Sequence, residues 1–244
     1  MTEELLVNGK IRKAFVGLAD TLVDDFDIID FLDMLCQCTI DLLGVTACGI
    51  LLADHAGKLN LTTASTERAR GVELLQLEHA QGPCLDAYRA RAALSCPDLA
   101  AVGGGWPKFA RGALRAGFAA VHALPMHLRD ETVGVLNLYR DTPGTLDAGT
   151  AELGQALADV ATIGILHQRA VRQQEILTGQ LQTALNSRVT IEQAKGVLAE
   201  RMQVTIDEAF AVLRAYARDH NLRLAAVARS VTEGTVDIRA AGAA

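Results

Sequence analysis

Aromatic residues are scarce in this 244-residue chain: 4 %, with one Trp, three Tyr and six Phe. Its interior must therefore be built largely from Leu, Val, Ile and Ala. No proline follows Pro143, and the five present (83, 97, 107, 125 and 143) share one central stretch. The remainder of the chain lacks the residue that most sharply ends helices. Long uncharged apolar runs are also lacking. Leu42 to Ala53 is twelve residues, against the ~20 of a spanning helix, so a membrane span is not expected. The opening MTEELLVNGK has two glutamates and no basic segment leading into an apolar one. It does not read as a secretory signal, and a cytoplasmic location is expected. Five cysteines, all before residue 97, are few and odd in number, so no disulfide framework is implied.

Several chemistries lack their patterns. No His/Cys set has zinc spacing, so no metal is assigned. The six histidines are scattered, and nothing selects one of them as a haem ligand. Gly103-Gly104-Gly105 is followed by Trp-Pro-Lys rather than Gly-Lys-Ser/Thr, which makes it a loop and not a phosphate cradle. No Ser-His-Asp set follows from spacing. Asp24-Asp25 precedes a helix, not the parallel strands that a phosphorylatable receiver requires. The cofactor is left unknown.

What is present is an ordinary globular composition, half apolar and about a fifth charged, long enough for one or two domains. The net charge of −6 is unevenly distributed. Residues 1–170 carry 14 basic and 21 acidic side chains, giving −7, whereas residues 171–244 carry 9 and 8, giving +1. The first part should repel nucleic acid; the second need not.

The first part alternates helices and strands. Ile28, Phe31, Leu32, Leu35, Ile40 and Leu43 recur at helical spacing over 27–43, and Gly44 stops the run. Ala47–Ala53, the turn Asp54-His55-Ala56-Gly57 and Leu59-Asn60-Leu61 read as a hairpin. Helices are expected over 67–79, 84–90 and 106–116, with a strand near 93–96. Val121–Leu128 and Val133–Tyr139 form a second hairpin around Arg129-Asp130-Glu131. An antiparallel sheet with helices before and between its strands is α+β.

From Leu146 to Met202 the chain reads as one or two long helices. Leu177, Leu181 and Leu185 form a stripe at i, i+4, i+8. A heptad seam through Ile163, Ala170, Leu177, Ala184, Ile191 and Leu198 is interrupted at alternate positions by Gln173 and Gln180, making a weak coiled coil. Thr205-Ile206-Asp207-Glu208 is a capping box. It starts a helix with Phe210, Leu213 and Ala217 inward, and Asn221 stops it. Leu224, Val227, Ala228 and Val231 mark a last helix ending at Gly234. With Ile191, Ala194, Leu198 and Met202, these stripes close a small three-helix core.

The run from Leu181 to Val231 resembles the ANTAR domain over its whole length. The resemblance is carried by Ser187-Arg188, Ile191-Glu192-Gln193-Ala194-Lys195-Gly196, Ala209-Phe210, Leu213-Arg214 and the final amphipathic helix. It implies a three-helix RNA-binding module, usually dimeric, that favours transcription antitermination by stabilising paired stem-loops in nascent RNA. Residues from about 20 to 170 are similar to the GAF sensor domains joined to ANTAR in actinobacterial regulators. There the shared runs are Gln81-Gly82-Pro83-Cys84-Leu85-Asp86, Cys96-Pro97-Asp98-Leu99, Trp106-Pro107-Lys108-Phe109 and Val121-His122-Ala123-Leu124-Pro125. The expected organisation is an extension over 1–19, a GAF-like sensor over 20–170, a helical connector over 171–180, the ANTAR module over 181–234 and a flexible tail over 235–244.

Seven cations lie between Arg188 and Arg229. On charge alone they read as solvated faces partnered by Glu192, Glu200, Asp207 and Asp219. With the resemblance, Arg188, Lys195, Arg201, Arg214, Arg218 and Arg223 become the RNA-binding candidates. Arg214 and Arg218 project together at i, i+4, and Lys195 stands beside Gly196, where a phosphate backbone can approach closely. Tyr216 is read as a packing residue rather than a stacking platform.

Cys84 opens a short helix after Gly82-Pro83, where the helix dipole would lower a thiol's pKa. Cys96 lies twelve residues on. GAF-fold enzymes that reduce free methionine sulfoxide use cysteines in a comparable region, so a thiol enzyme is the alternative reading. A buried, inert cysteine is the reading kept, with Cys36-Gln37-Cys38 likewise read as core and surface. The expected protein is a non-enzymatic regulator: a GAF domain reads a small molecule, a redox signal or a partner, and the helical region sets whether two RNA-binding modules of a homodimer are presented together. A dimerisation module with no RNA role is the remaining alternative.

Overall fold

The structure is a computed structural model describing residues 2–21, 27–102, 104–236 and 238. It divides into two compact units, Met1–Arg169 and Ala170–Ala244. Asp24-Asp25, Gly103 and most of the expected tail (237 and 239–244) lie outside the described residues, as do the side chains of Gln180, Leu181 and Ala184.

The first unit begins with α1 (Thr2–Thr21) and α2 (Ile28–Leu43). The stretch 1–19 was expected only as an extension. It is helical because Ile11, Phe15 and Leu18 recur at i, i+4, i+7, and Leu18 is fully buried. Asp27 caps α2 by accepting from the Ile29 amide at 2.7 Å. Gly44 ends it at φ 61°, donating its amide to Ile40 O at 3.1 Å. β1 (Ala47–Ala53) and β2 (Leu59–Ala64) form the first hairpin. Asp54 fixes its turn by accepting from the amides of Ala56 and Lys58 at 2.9 and 3.0 Å.

α3 (Glu67–His79), α4 (Pro83–Ala90), β3 (Leu94–Cys96) and α5 (Pro107–Arg115) follow. β4 (Ala120–Leu128) and β5 (Glu131–Arg140) make the second hairpin. Its turn is the two residues Arg129-Asp130, because Glu131 already pairs with Leu128. The sheet is antiparallel throughout, in the order β2-β1-β5-β4-β3. Pro125 is tolerated inside β4 because β3 reaches only as far as Ala123, leaving the proline's donorless side without a neighbouring strand.

Both faces of the sheet are covered, so β5 is buried at successive positions instead of alternating. One face packs Ile50, Leu124, Met126, Leu136 and Leu138 against α2 and against Leu157, Ala158, Ala161 and Ile165 of α6 (Ala148–Met202). The other packs against α3, α4 and α5, with Phe109, Phe118 and Tyr139 as its largest side chains. α6 is a single helix of 55 residues.

The second unit contains the end of α6, α7 (Ile206–Asp219) and α8 (Leu224–Thr232). The Thr205–Glu208 capping box forms in full: Thr205 Oγ1 accepts from the Glu208 amide at 3.3 Å, and Glu208 accepts from the Thr205 amide at 2.8 Å. The three helices meet around Ala194, Leu198, Ala209, Leu213, Ala217, Val227, Ala228 and Val231. Phe210, expected inward, is only half buried. Ala209 takes that position instead, since the small side chain lets α7 approach α6, and the next residue is turned by ~100°. Ile238 also packs into this core.

Candidate functional site

Two groupings of polar side chains stand out, one in each unit. In the helical bundle, α6 and α7 bring Lys195 and Arg214 to the same aromatic ring. Lys195 Nζ lies 5.2 Å and the Arg214 guanidinium 5.5 Å from the Phe210 ring centroid. Such contacts contribute about 0.5–1 kcal/mol at exposed sites. The Lys195 ammonium also donates to both Glu192 carboxylate oxygens, at 2.8 and 3.0 Å, and its side chain is only 14 % exposed. Lys195 is therefore held by a carboxylate and a ring, not free in solvent as a lone cation would be. Gly196 beside it is exposed, with no atom within 4 Å of where a Cβ would stand.

Helix geometry puts Arg188 on nearly the same side of α6 as Lys195, two turns earlier, because seven residues advance ~700°. Arg218 follows Arg214 by one turn, and both are exposed. Arg201 is exposed in the last turn of α6, and Arg223 and Arg229 are exposed at the cap and last turn of α8. Among the described residues, only Lys195 and Arg214 of these cations contact the Phe210 ring. Tyr216 stacks on His220, centroids 4.0 Å apart, and packs against the bundle core.

In the first unit, α3 turns polar side chains into the sheet. Ala69, Val72, Glu73 and Gln76 form its buried face, so a carboxylate and an amide occupy positions where apolar residues are usual. Asn137 Nδ2 on β5 donates to the two Glu73 oxygens at 2.9 and 3.0 Å, and Gln76 Nε2 donates to one of them at 2.9 Å. Gln76 Oε1 accepts from the Cys84 amide at 3.0 Å, tying α3 to the start of α4. Gly49 on β1 makes the space: a Cβ there would overlap the Glu73 side chain. Burial pushes the Glu73 carboxyl up to about 7, against hydrogen bonds from Asn137, Tyr139 and Gln76 that pull it down.

The same burial applies to Cys84, which the sequence reads as buried and inert. It is fully buried, and desolvation with the Glu73 charge beyond it raises its thiol well above the usual value; the short helix does not lower it. Cys96 is also raised, chiefly by burial, and sits in a different part of the core. A fully buried thiol held in its protonated form is a poor nucleophile.

The same unit has an open cleft of about 780 Å³, lined by Lys58 and Asn60, Leu74 and Leu77 of α3, and Leu85 and Tyr88 of α4. Among the described residues, no group of three or more His, Cys, Asp or Glu is placed to hold a metal ion, and no helix is long and apolar enough to cross a membrane.

The profile of the GAF domain matches residues 27–166, and that of the ANTAR domain matches residues 179–231. The chain belongs to the GAF domain family and carries an ANTAR domain. A GAF domain followed by an ANTAR domain is the arrangement of a sensor-linked regulator of the ANTAR RNA-binding type. No curated protein matches this GAF–ANTAR chain. Among solved structures it is similar to the GAF domain of an Acinetobacter phosphoenolpyruvate-protein phosphotransferase, at 16 % identity and TM-score 0.53, covering 70 % of this chain and 98 % of that one. It is similar to the corresponding GAF domain from Coxiella burnetii at 13 % identity and TM-score 0.53, covering 68 % and 96 %. Free methionine-R-sulfoxide reductase from Neisseria meningitidis, in complex with its substrate, matches at 15 % identity and TM-score 0.49, covering 66 % and 91 %. At these identities the likeness to the two GAF domains is one of fold.

Glu73, Gln76 and Asn137 are not among the site residues expected from sequence. A signal was available: Glu73 and Gln76 stand at i+4 and i+7 from Ala69, on the apolar side of α3.

Proposed function

We propose that the ANTAR unit binds an RNA stem-loop in a nascent transcript and promotes antitermination, under control of a signal read by the GAF unit. The observation that carries this reading is the pairing of Lys195 and Arg214 on Phe210, continued by Arg188 along α6 and Arg218 along α7. Cations spaced along two helices suit a phosphate backbone, whose neutralisation releases counterions. Arg201 and Arg223 are proposed as outlying contacts to the same RNA.

Glu192 has a defined part in this reading. It holds the Lys195 ammonium in place in the free protein and gives way to a phosphate oxygen when RNA arrives.

The protein is further proposed to act as a cytoplasmic homodimer. Leu177 and Leu185 of α6, 49 % and 59 % exposed, support this, since a second copy would cover them. Two linked modules on two linked hairpins gain effective concentration without any new contact. Burial of Cys84 as a protonated thiol favours a regulator over a thiol enzyme.

The deciding experiment is sequencing of RNA crosslinked to the purified full-length protein. Enrichment of paired stem-loops upstream of terminators is expected. Recovery of RNA without shared structure, or of none, would overturn the reading. A dimer that binds RNA equally well with and without its GAF domain would remove the sensing half.

A further inference from the structure

The first unit carries −7 overall by sequence, yet one of its grooves is lined by cations and no carboxylate. The groove runs between α3 and α5 and has a volume of about 350 Å³, within the range of small-molecule sites. Lys108, Arg111, Gly112 and Arg115 of α5 form one wall, and Leu75 and His79 of α3 the other. Residues 108, 111, 112 and 115 fall on one side of a helix by the 3.6-residue repeat. The two helices come close here because Gly112 has no side chain: a Cβ would overlap Leu75.

The three cations are exposed, and among the described residues none is in an ion pair. Two acids of α3 and α4 do not line the groove. Glu78 lines the larger cleft, and Asp86 accepts from Trp106 Nε1 at 2.8 Å and pairs with Arg89. Like charges at this spacing repel and weaken a helix. Arg115 is compensated by its place in the last turn, at the negative end of the helix dipole, where it also donates to Arg111 O at 3.4 Å. Lys108 has no such compensation. It lies in the first turn, at the positive end, and that turn has no acidic residue. The Lys108 amide at that end already donates to Gln81 Oε1 at 3.1 Å, so what an anion in the groove would relieve is the three side-chain charges.

We propose that the α3–α5 groove is a binding site for a small molecule bearing two or more phosphate-type charges, held by Lys108, Arg111 and Arg115. The cation number requires a multiply charged ligand, and the groove's size suits a metabolite rather than a folded partner. The site is distinct from the proposed RNA surface and shares none of its residues. α3 links it to the sheet: Leu75 and His79 face the groove, while Glu73 and Gln76 on the same helix are buried against β1 and β5.

The test is calorimetric titration of the full-length protein with inorganic pyrophosphate, using sodium chloride at matched ionic strength as control. Saturable binding of one pyrophosphate per chain is expected. The double variant Arg111→Gln, Arg115→Gln should weaken it by about tenfold or more, the scale of lost charge-assisted hydrogen bonds. Lys108→Gln alone should weaken it less, and Arg214→Gln should leave it unchanged. Unaltered far-UV circular dichroism and melting temperature show that the variants are folded, as expected for substitutions of exposed side chains. Heat that never saturates, or that chloride reproduces, overturns the proposal, as does equal affinity in the double variant. If pyrophosphate fails to bind while the double variant loses RNA affinity, the groove belongs to the nucleic-acid surface and the small-anion site is refuted.

Discussion

Asn137 Nδ2 lies 2.9 and 3.0 Å from the two carboxylate oxygens of Glu73, in a part of the GAF unit closed to solvent. Among the described residues, a carboxylate there is supported by two amides and the Tyr139 hydroxyl but by no cation. Tyr139 on β5, Cys84 on α4 and Cys48 on β1 are the other titratable groups around it, and all three are raised. The cluster therefore sits most easily with Glu73 protonated.

Stability of the GAF unit should consequently fall as pH rises. The Glu73 carboxyl goes from an ordinary 4.5 to about 7 on folding, so the folded state binds its proton more tightly. The contribution is full below 4.5 and is lost as pH rises through about 7, an effect of about 3 kcal/mol in total. Urea unfolding measured from pH 5 to 8 should show this decline, and Glu73→Gln should flatten it. A wild-type profile already flat over that window would show that Glu73 does not titrate there.

Gly49→Ala should destabilise the GAF unit by about 1–3 kcal/mol, because the new methyl enters the space of the Glu73 side chain. Combined with Glu73→Ala, the substitution should cost much less than it does alone. Strict additivity of the two in a double-mutant cycle would place the strain elsewhere.

RNA affinity should respond to charge around Phe210 in both directions. Lys195→Ala weakens binding with little change in helix content, and Arg214→Ala with Arg218→Ala lowers both affinity and the salt slope, the slope by about 2. Glu192→Gln, which removes the carboxylate competing for Lys195, strengthens binding. Gel-shift titrations at several salt concentrations read all three. Unchanged affinity in the arginine pair would remove α7 from the interface.

Thiol reactivity should separate the cysteines. Cys38 is the one partly exposed; Cys36, Cys48, Cys84 and Cys96 are buried. A thiol-specific reagent should label Cys38 in the native protein and the other four only on unfolding. Rapid native labelling of Cys84 would revive the thiol-enzyme reading.

Much of this architecture is legible in the sequence, and for identifiable reasons. The Asp27 cap, the Gly44 stop, the Asp54 turn and the Thr205–Glu208 box are local devices, fixed by residues a few positions apart. Failures arose where a neighbour distant in the chain decides. Phe210 has the right spacing to face inward, but how closely α6 and α7 approach gives that place to Ala209. The Glu73–Asn137 contact joins residues 64 apart, and no local pattern announces it. The N-terminal helix is legible at Ile11, Phe15 and Leu18, whose spacing is helical.

Alanines 194, 209, 217 and 228 are four of the nine buried residues that form the ANTAR unit's core among the described residues, and each brings a single methyl group. A seam so thin in hydrocarbon leaves this small module with a narrow margin against melting. Whatever selects its folded form then becomes part of what keeps it folded: a cargo at a hundred times its dissociation constant adds about 2.7 kcal/mol by mass action alone. Transcript and protein would in that sense order each other, with the module at its firmest while it is loaded.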